Sequence, residues 1–461
     1  MIEKNTLSRV LREALATGGD FAEVFLEDTD QTLLELISGK MDEAVSGRDH
    51  GAGIRVLRGV DSVYVHTNDT SEAGLMRCAS QAAAAINGGE RIVPVVADAP
   101  VAVPNRSPIR IAPSGVDAAR KAEVIREVAR RAADYDPAIS QTRVTWKDWT
   151  QNITVANSEG LWVQDSRTRC RVFAMAVASD GNETQTGTAT PDWQRGFEVT
   201  EMFDLPALGD EAARQAVVML RAGLCPAGRM PVIICNGFGG VIFHEACGHS
   251  LEATSVGKEM SVFCGKLGQQ IASPVVSAVD DGTIPNAWGS NNIDDEGIPT
   301  RRLMLIENGI LKNYLVDRLG SRRMGMEPTG CGRRQSYVFA ATSRMSNTFI
   351  LPGKDRREEM LSSMGDGLYC AKMGGGSVNP LTGEFNFAVG EGYLVKNGKL
   401  DRPVRGATLI GKGNEILWNI DRVSDDLVTA QGMCGSLSGS IPTDVGQPMI
   451  RVSAITVGGR N

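Results

Sequence analysis

PVIICNGFGGVIFHEACGHSLEA, residues 231–253, is the stretch that decides the reading of this chain. PVIIC is a short apolar run of the kind that makes a buried strand. Gly237, Gly239 and Gly240 break it, and VIFHEACGHSLEA then opens as a helix. That helix carries two of the chain's four histidines, His244 and His249, with Glu245 directly after the first. A zinc peptidase needs this set. Neutral imidazoles hold the metal without cancelling its charge, and the metal lowers the pKa of a bound water to roughly 7. A neighbouring carboxylate then takes the water's proton and delivers it to the leaving amine.

The spacing is unusual. Histidines four apart share one helix face, at about 100° per residue, whereas five apart stand roughly 140° round. A π-bulge or kink corrects this, and Gly248, just before His249, lets the backbone bend. A catalytic site also needs a third protein ligand. Cys247, Glu252 and Cys434 compete for that place. Cys247 has the ordinary alternative of a core thiol, Glu252 that of a carboxylate supporting His249, and Cys434 that of a buried free cysteine. His50 and His66 lie in strand or turn contexts and read as ordinary residues.

Downstream, the chain reads as strands and tight turns: LMLIENGILKNYLVD, GYLVKNGKL and PMIRVSAITV, in the half where most of the 52 glycines are dense. Upstream, a first helix has Leu7, Val10, Leu11, Ala14 and Leu15 on one face. Short β-rich runs follow at 22–28, 32–38, 53–58 and 62–66. A helix near 72–86 has Ser71 as its cap. Residues 94–115 read as a loop. A helix over 118–133, strands between 141 and 179, and a helix near 211–222 complete this half. The order helix, strands, helix occurs twice, a loose pseudo-repeat. The fold class is therefore α+β: an N-terminal α/β domain of helices and antiparallel strands over 1–225, and a C-terminal β-rich domain carrying the metal-binding helix over 226–461.

Net charge of −7 and the lack of a basic stripe exclude a nucleic-acid partner. No run of about 18 apolar residues predicts a membrane helix, and the opening segment lacks the apolar core of a signal peptide. Nine cysteines, with no CxxC pair, fit free thiols in a reducing compartment, and the expected location is the cytoplasm.

Several long motifs carry a resemblance. They include SGRDHGAGIRVL and TNDTSEAGL near the start, and HEACGHSLEA with DDGTIPNAWGSNNIDDEGIPT at the centre. LIENGILKNYLVDR, MGMEPTGCGRRQSY, RMSNT, GGGSVNPLTGEFNFAVGEGYLVKNGK and finally MCG with VGQP follow in order. The chain resembles the TldD/PmbA family of metallopeptidases over nearly its whole length, on the side that keeps the metal motif. The resemblance implies zinc held by His244, His249 and Cys434, with Glu245 as catalytic base. It implies a barrel-like C-terminal domain and a dimer, homodimeric or paired with a related subunit, whose enclosed cavity admits extended peptides. One departure is that MCG is usually continued by a Lys and later a Gly-Gln pair, where this chain has Gly435-Ser436-Leu437-Ser438-Gly439-Ser440.

Other features read more plainly. Gly374–Gly376 and Gly237–Gly240 match no phosphate-binding fingerprint and fit tight turns or close packing. Asp280-Asp281 and Asp294-Asp295-Glu296 lack calcium-loop spacing and read as solvated turns. Arg333 and Arg334 either line a cavity and take a substrate carboxylate or form structural ion pairs. Two functional alternatives stand beside the peptidase: a non-catalytic peptide-binding subunit of a peptidase complex, and a closed structural zinc site with Cys247 or Glu252 as fourth ligand.

Overall fold

Alternation along the strand Phe21–Ile37 organises the first half of the molecule, a computed structural model describing residues 2–86, 88–89, 92–379 and 381–459. Val24, Leu34 and Leu36 point to one face of the sheet and are buried there under helices. Glu23, Phe25 and Glu27 point to the other, because side chains alternate along a strand. The two runs read separately at 22–28 and 32–38 are one continuous strand. The intervening Thr29 and Gln31 stay extended because they pair on both sides, with Asp49 and Gly47 on one strand and Gln151 and Trp149 on the other, and they line a polar cavity on that second face.

Strands Asp61–Thr67, Lys40–Arg58, Phe21–Ile37, Ile139–Asn157 and Trp162–Ser179 lie side by side, all antiparallel. Helices Lys4–Ala14 and Glu72–Ala84 cover one end of the first face, packing Leu7, Leu11, Leu75 and Ala79 on Val24, Ile54 and Val56. Ser71 caps the second helix, its hydroxyl accepting from Gly74 N at 3.2 Å. Helices Ala118–Asp134 and Ala207–Leu220 cover the other end, over Leu34, Val144 and Trp146. The two halves of the pseudo-repeat thus share one sheet.

The second half contains a closed barrel. Strands Gly367–Val378, Gly228–Ile234, Ile450–Gly458, Thr408–Lys412 and Glu384–Lys396 pair in that order, and the last pairs back with the first. Beside it lies a six-stranded sheet that ends in Asn347–Ile350, Gly439–Gln447 and the edge strand Val428–Ser436. The α+β class and the barrel expected from the resemblance are both present.

The acidic clusters correct the reading from sequence. Asp280, Asp281, Asp294, Asp295 and Glu296 are all buried, not solvated. They are buried because cations and main-chain N–H groups receive them. Arg55 meets Glu296 at 2.7 Å, Arg167 meets Asp295 at 2.6 Å, and Arg334 meets Glu23 at 2.6 Å. Each pair joins the N-terminal sheet to the C-terminal half. Arg334 also stacks over Phe25, its guanidinium carbon 4.3 Å from the ring centroid. Removing one partner of such a pair strands a buried charge, at a cost of about 3–5 kcal/mol. Arg334→Met is accordingly expected to lower the urea midpoint strongly. An unchanged midpoint would show that these pairs do not hold the halves together.

Candidate metal centre

Glycines set the position of the histidine helix. The turn Gly237–Gly240 leads into the helix Val241–Ala246. A Cβ on Gly240 would sit 2.4 Å from the backbone of Gly446, and one on Gly239 would sit 2.8 Å from Gln447 Nε2. Without side chains there, the helix start lies directly on the strand Gly439–Gln447. That strand is the hairpin partner of Val428–Ser436, which carries Cys434 opposite Ile441. Close packing, not phosphate binding, explains these glycines.

The helix does not run on through His249, and no π-bulge forms. It stops at Cys247, whose φ of −127° and ψ of −52° leave the helical region, and a 3₁₀ turn follows over Gly248–Leu251. That break re-aims the second histidine. Gly248 serves a different purpose from the one its position implies: a Cβ there would lie 2.1 Å from the Met345 sulfur.

His244 Nε2 and His249 Nε2 each lie 3.3 Å from Cys434 Sγ. The rings are nearly perpendicular, at 86°, with centroids 4.9 Å apart. All three donor atoms fall within 4.8 Å of one another. Tetrahedral zinc with ordinary Zn–N and Zn–S bonds places such donors about 3.5 Å apart. The donor set therefore fits a metal ion in both chemistry and spacing. Burial alone pushes the Cys434 thiol up, but the two imidazoles outweigh it and hold the thiol well below its ordinary range. Burial disfavours the charged His249 ring, and Glu252 and Cys434 reverse this, raising its pKa well above normal.

The other candidate ligands separate cleanly. Cys247 is fully buried in the apolar core. Glu252, also buried, has Oε1 3.2 Å from His249 Nδ1, the ring nitrogen away from the cysteine. Neither joins the three converging donors, so the group has no fourth protein ligand among the described residues. Glu245 lies on the donor side, with Oε2 3.7 Å from His249 Nε2, and is part-exposed. It opens onto a cleft of about 750 Å³, walled by Gly376–Val378 and by Met433–Leu437. A cavity of similar size, about 780 Å³, lies over the N-terminal sheet near His50 and contains none of the donors. His66 packs edge-on to Tyr337.

Arg344 escaped the reading from sequence. It is fully buried and donates to the carbonyl of Cys434, to Ser438 Oγ and to the carbonyl of Gly439. It thereby ties down the hairpin where the chain departs from the usual continuation of MCG. The only sequence signal was its place in the motif RMSNT.

Two imidazoles, a thiol and a flanking carboxylate at the floor of a cleft define a class of site, a candidate metal centre of hydrolase type. Comparisons narrow the class. Residues 22–86, 111–220 and 227–459 match the family models for PmbA/TldA metallopeptidase domain 1, central domain and C-terminal domain. The Haemophilus influenzae metalloprotease TldD homolog is 34% identical, with 96% of this chain and 93% of that protein covered. A metalloprotease of Methanothermobacter thermautotrophicus is 33% identical, over 95% and 96% of the two chains. The crystal structure of TldE from Thermococcus kodakarensis shares the fold at a TM-score of 0.74 and 18% identity, covering 98% of this chain and 100% of that one. The chain belongs to the TldD/PmbA metallopeptidase family.

Proposed function

We propose that the chain is a zinc-dependent peptidase that hydrolyses unfolded or extended peptides. The observation that carries this reading is the convergence of His244, His249 and Cys434 beside Glu245 at an open cleft. Two imidazoles and a thiolate suit zinc, and a Saccharolobus solfataricus relative, 28% identical over 73% of this chain, is named a zinc metalloprotease TldD homolog. Zinc bound there supplies Lewis acidity toward the scissile carbonyl and the attacking water. Glu245 takes the water's proton and returns it to the leaving amine. Glu252 holds the His249 ring from behind, and Arg344 holds the strand of Cys434.

The edge strand Val428–Ser436 pairs main chain with an extended peptide, which gives affinity with loose sequence preference, at the positions where its outer groups are not taken, as the carbonyls of Gly432 and Cys434 are by Trp288 and Arg344. Assembly as a homodimer, or with a related subunit, encloses the cleft and turns folded proteins away. The proposed setting is the cytoplasm. Among the described residues no helix is long and apolar enough to cross a membrane.

The test is cleavage of an unfolded polypeptide and of its folded counterpart by the metal-loaded protein. Turnover confined to the unfolded form, lost on chelation and restored by zinc, is expected. Tight peptide binding without turnover in the loaded protein would favour the non-catalytic subunit instead.

A further inference from the structure

Where the second face of the N-terminal sheet meets the Cys434 hairpin, the molecule holds a polar cavity of about 360 Å³. Its sheet wall follows from alternation: Lys147 and Trp149 on one strand face the same side as Arg167 and Arg169 on the next. Arg333, Arg334 and Met433 close it from the C-terminal half. Met433 also lines the cleft of the candidate metal centre and directly precedes Cys434, so the two spaces share a wall.

The cations of this cavity fall into two groups. Arg167 and Arg334 are neutralised by Asp295, Asp165 and Glu23. Arg169 and Arg333 have no ion pair of their own among the described residues. Both are buried and donate only to neutral groups, while Asp295, with Asp165 for Arg169 and Asp280 for Arg333, acts on them only through space. Arg169 donates to the carbonyls of Trp288 and Ser290 at 3.0 and 2.8 Å and to Asn291 Oδ1 at 2.7 Å. Arg333 donates to the carbonyls of Met345 and Pro442 at 2.6 and 2.7 Å. Lys147, at the mouth, lies over the Trp149 ring at 5.4 Å and makes no ion pair among the described residues.

Carboxylates that line the cavity do not offset this. Asp295 is already shared by Arg167 and the Arg334 backbone, and Glu27 accepts from Gln151, Thr29 and the Tyr337 backbone, while the third lining carboxylate, Asp49, is exposed and accepts from the Tyr337 hydroxyl at 3.3 Å. Burial raises the Glu27 pKa, which favours its neutral form. Burial, followed by the charges of Arg167 and Arg333, pushes Arg169 down to about 9, and burial pushes Arg333 down to about 10. Buried cations without a direct ion pair are costly, and guanidiniums stay protonated at neutral pH. Both groups are already oriented by main-chain carbonyls, so an arriving anion orders little on binding.

We propose that this cavity is a subsite for a carboxylate of the substrate peptide, recognised by Arg169, Arg333 and Lys147 one wall away from the metal cleft. The planar guanidinium matches a carboxylate's geometry. This rests on the peptidase reading for the identity of the ligand. The carboxylate comes either from an acidic side chain or from the peptide's own C-terminus.

The test uses one unstructured decapeptide in four versions, with Glu or Gln side chains and with a free or amidated C-terminus. Binding is measured by fluorescence anisotropy to the zinc-loaded Glu245→Gln protein, and cleavage is measured with wild type. A carboxylate-bearing version is expected to bind about tenfold tighter than the neutral one. Lys147→Glu, at an exposed position, and Arg169→Gln are each expected to remove that advantage. Preference for Glu in amidated peptides assigns the side chain; preference for the free acid alone assigns the C-terminus. Equal binding of all four versions, no binding, or a preference untouched by both substitutions overturns the subsite. Absence of cleavage with the preference intact overturns the peptidase reading and leaves the subsite standing.

Discussion

Glu245→Gln is expected to retain metal and to lose peptide cleavage by between about 100- and 10 000-fold in kcat. The substitution keeps the shape of the side chain and removes its ability to accept a proton. Glu245 sits on the donor side of His249, at 3.7 Å from Nε2, and opens to the cleft. It is not one of the three converging donors. Metal content and activity should therefore separate: about one zinc per chain in both proteins, with turnover only in wild type. Full activity in the variant would remove Glu245 from the chemistry. Loss of zinc together with activity would place it among the ligands.

What the sequence disclosed depended on how far apart the interacting residues lie. His244, Glu245 and His249 were legible because they are neighbours in the chain, and their odd spacing correctly called for a break in the helix. The form of the break was not legible, since it depends on Met345 filling the space beside Gly248. Cys434 stands 185 residues from His249, and residue types alone left it level with Cys247 and Glu252. The resemblance singled it out, and strand pairing through Gly446 brings it to the histidines. Arg344 gave no signal of its own, because an arginine is expected at the surface and its carbonyl partners leave no trace in composition. The same expectation misplaced the acidic clusters. Asp295 and Glu296 are buried by arginines 128 and 241 residues away, contacts that no local pattern encodes. Helix positions fared better, because Leu7, Val10, Leu11 and Ala14 declare their buried face by spacing alone.

Cys434→Ser is expected to empty the metal site. The change replaces a thiol that its surroundings hold well below its ordinary pKa with a hydroxyl that stays neutral and binds zinc poorly. The fold should survive, because the position is on an edge strand, the side chains are close in size, and Arg344 grips the main chain and not the sulfur. The loss of affinity should exceed the roughly 10–100-fold that follows from removing a supporting partner of a ligand. Metal content after exposure to zinc and then to a weak chelator, with wild type beside the variant, reads this directly. Zinc retained by wild type and lost by the serine protein, with unchanged far-ultraviolet circular dichroism, is the expected result. A variant that still holds one zinc would remove Cys434 from the ligands and point to Glu245, the carboxylate on the donor side of His249. A wild type that takes up no metal would leave the two imidazoles as ordinary donors to a thiolate, and the peptidase reading would fall with them.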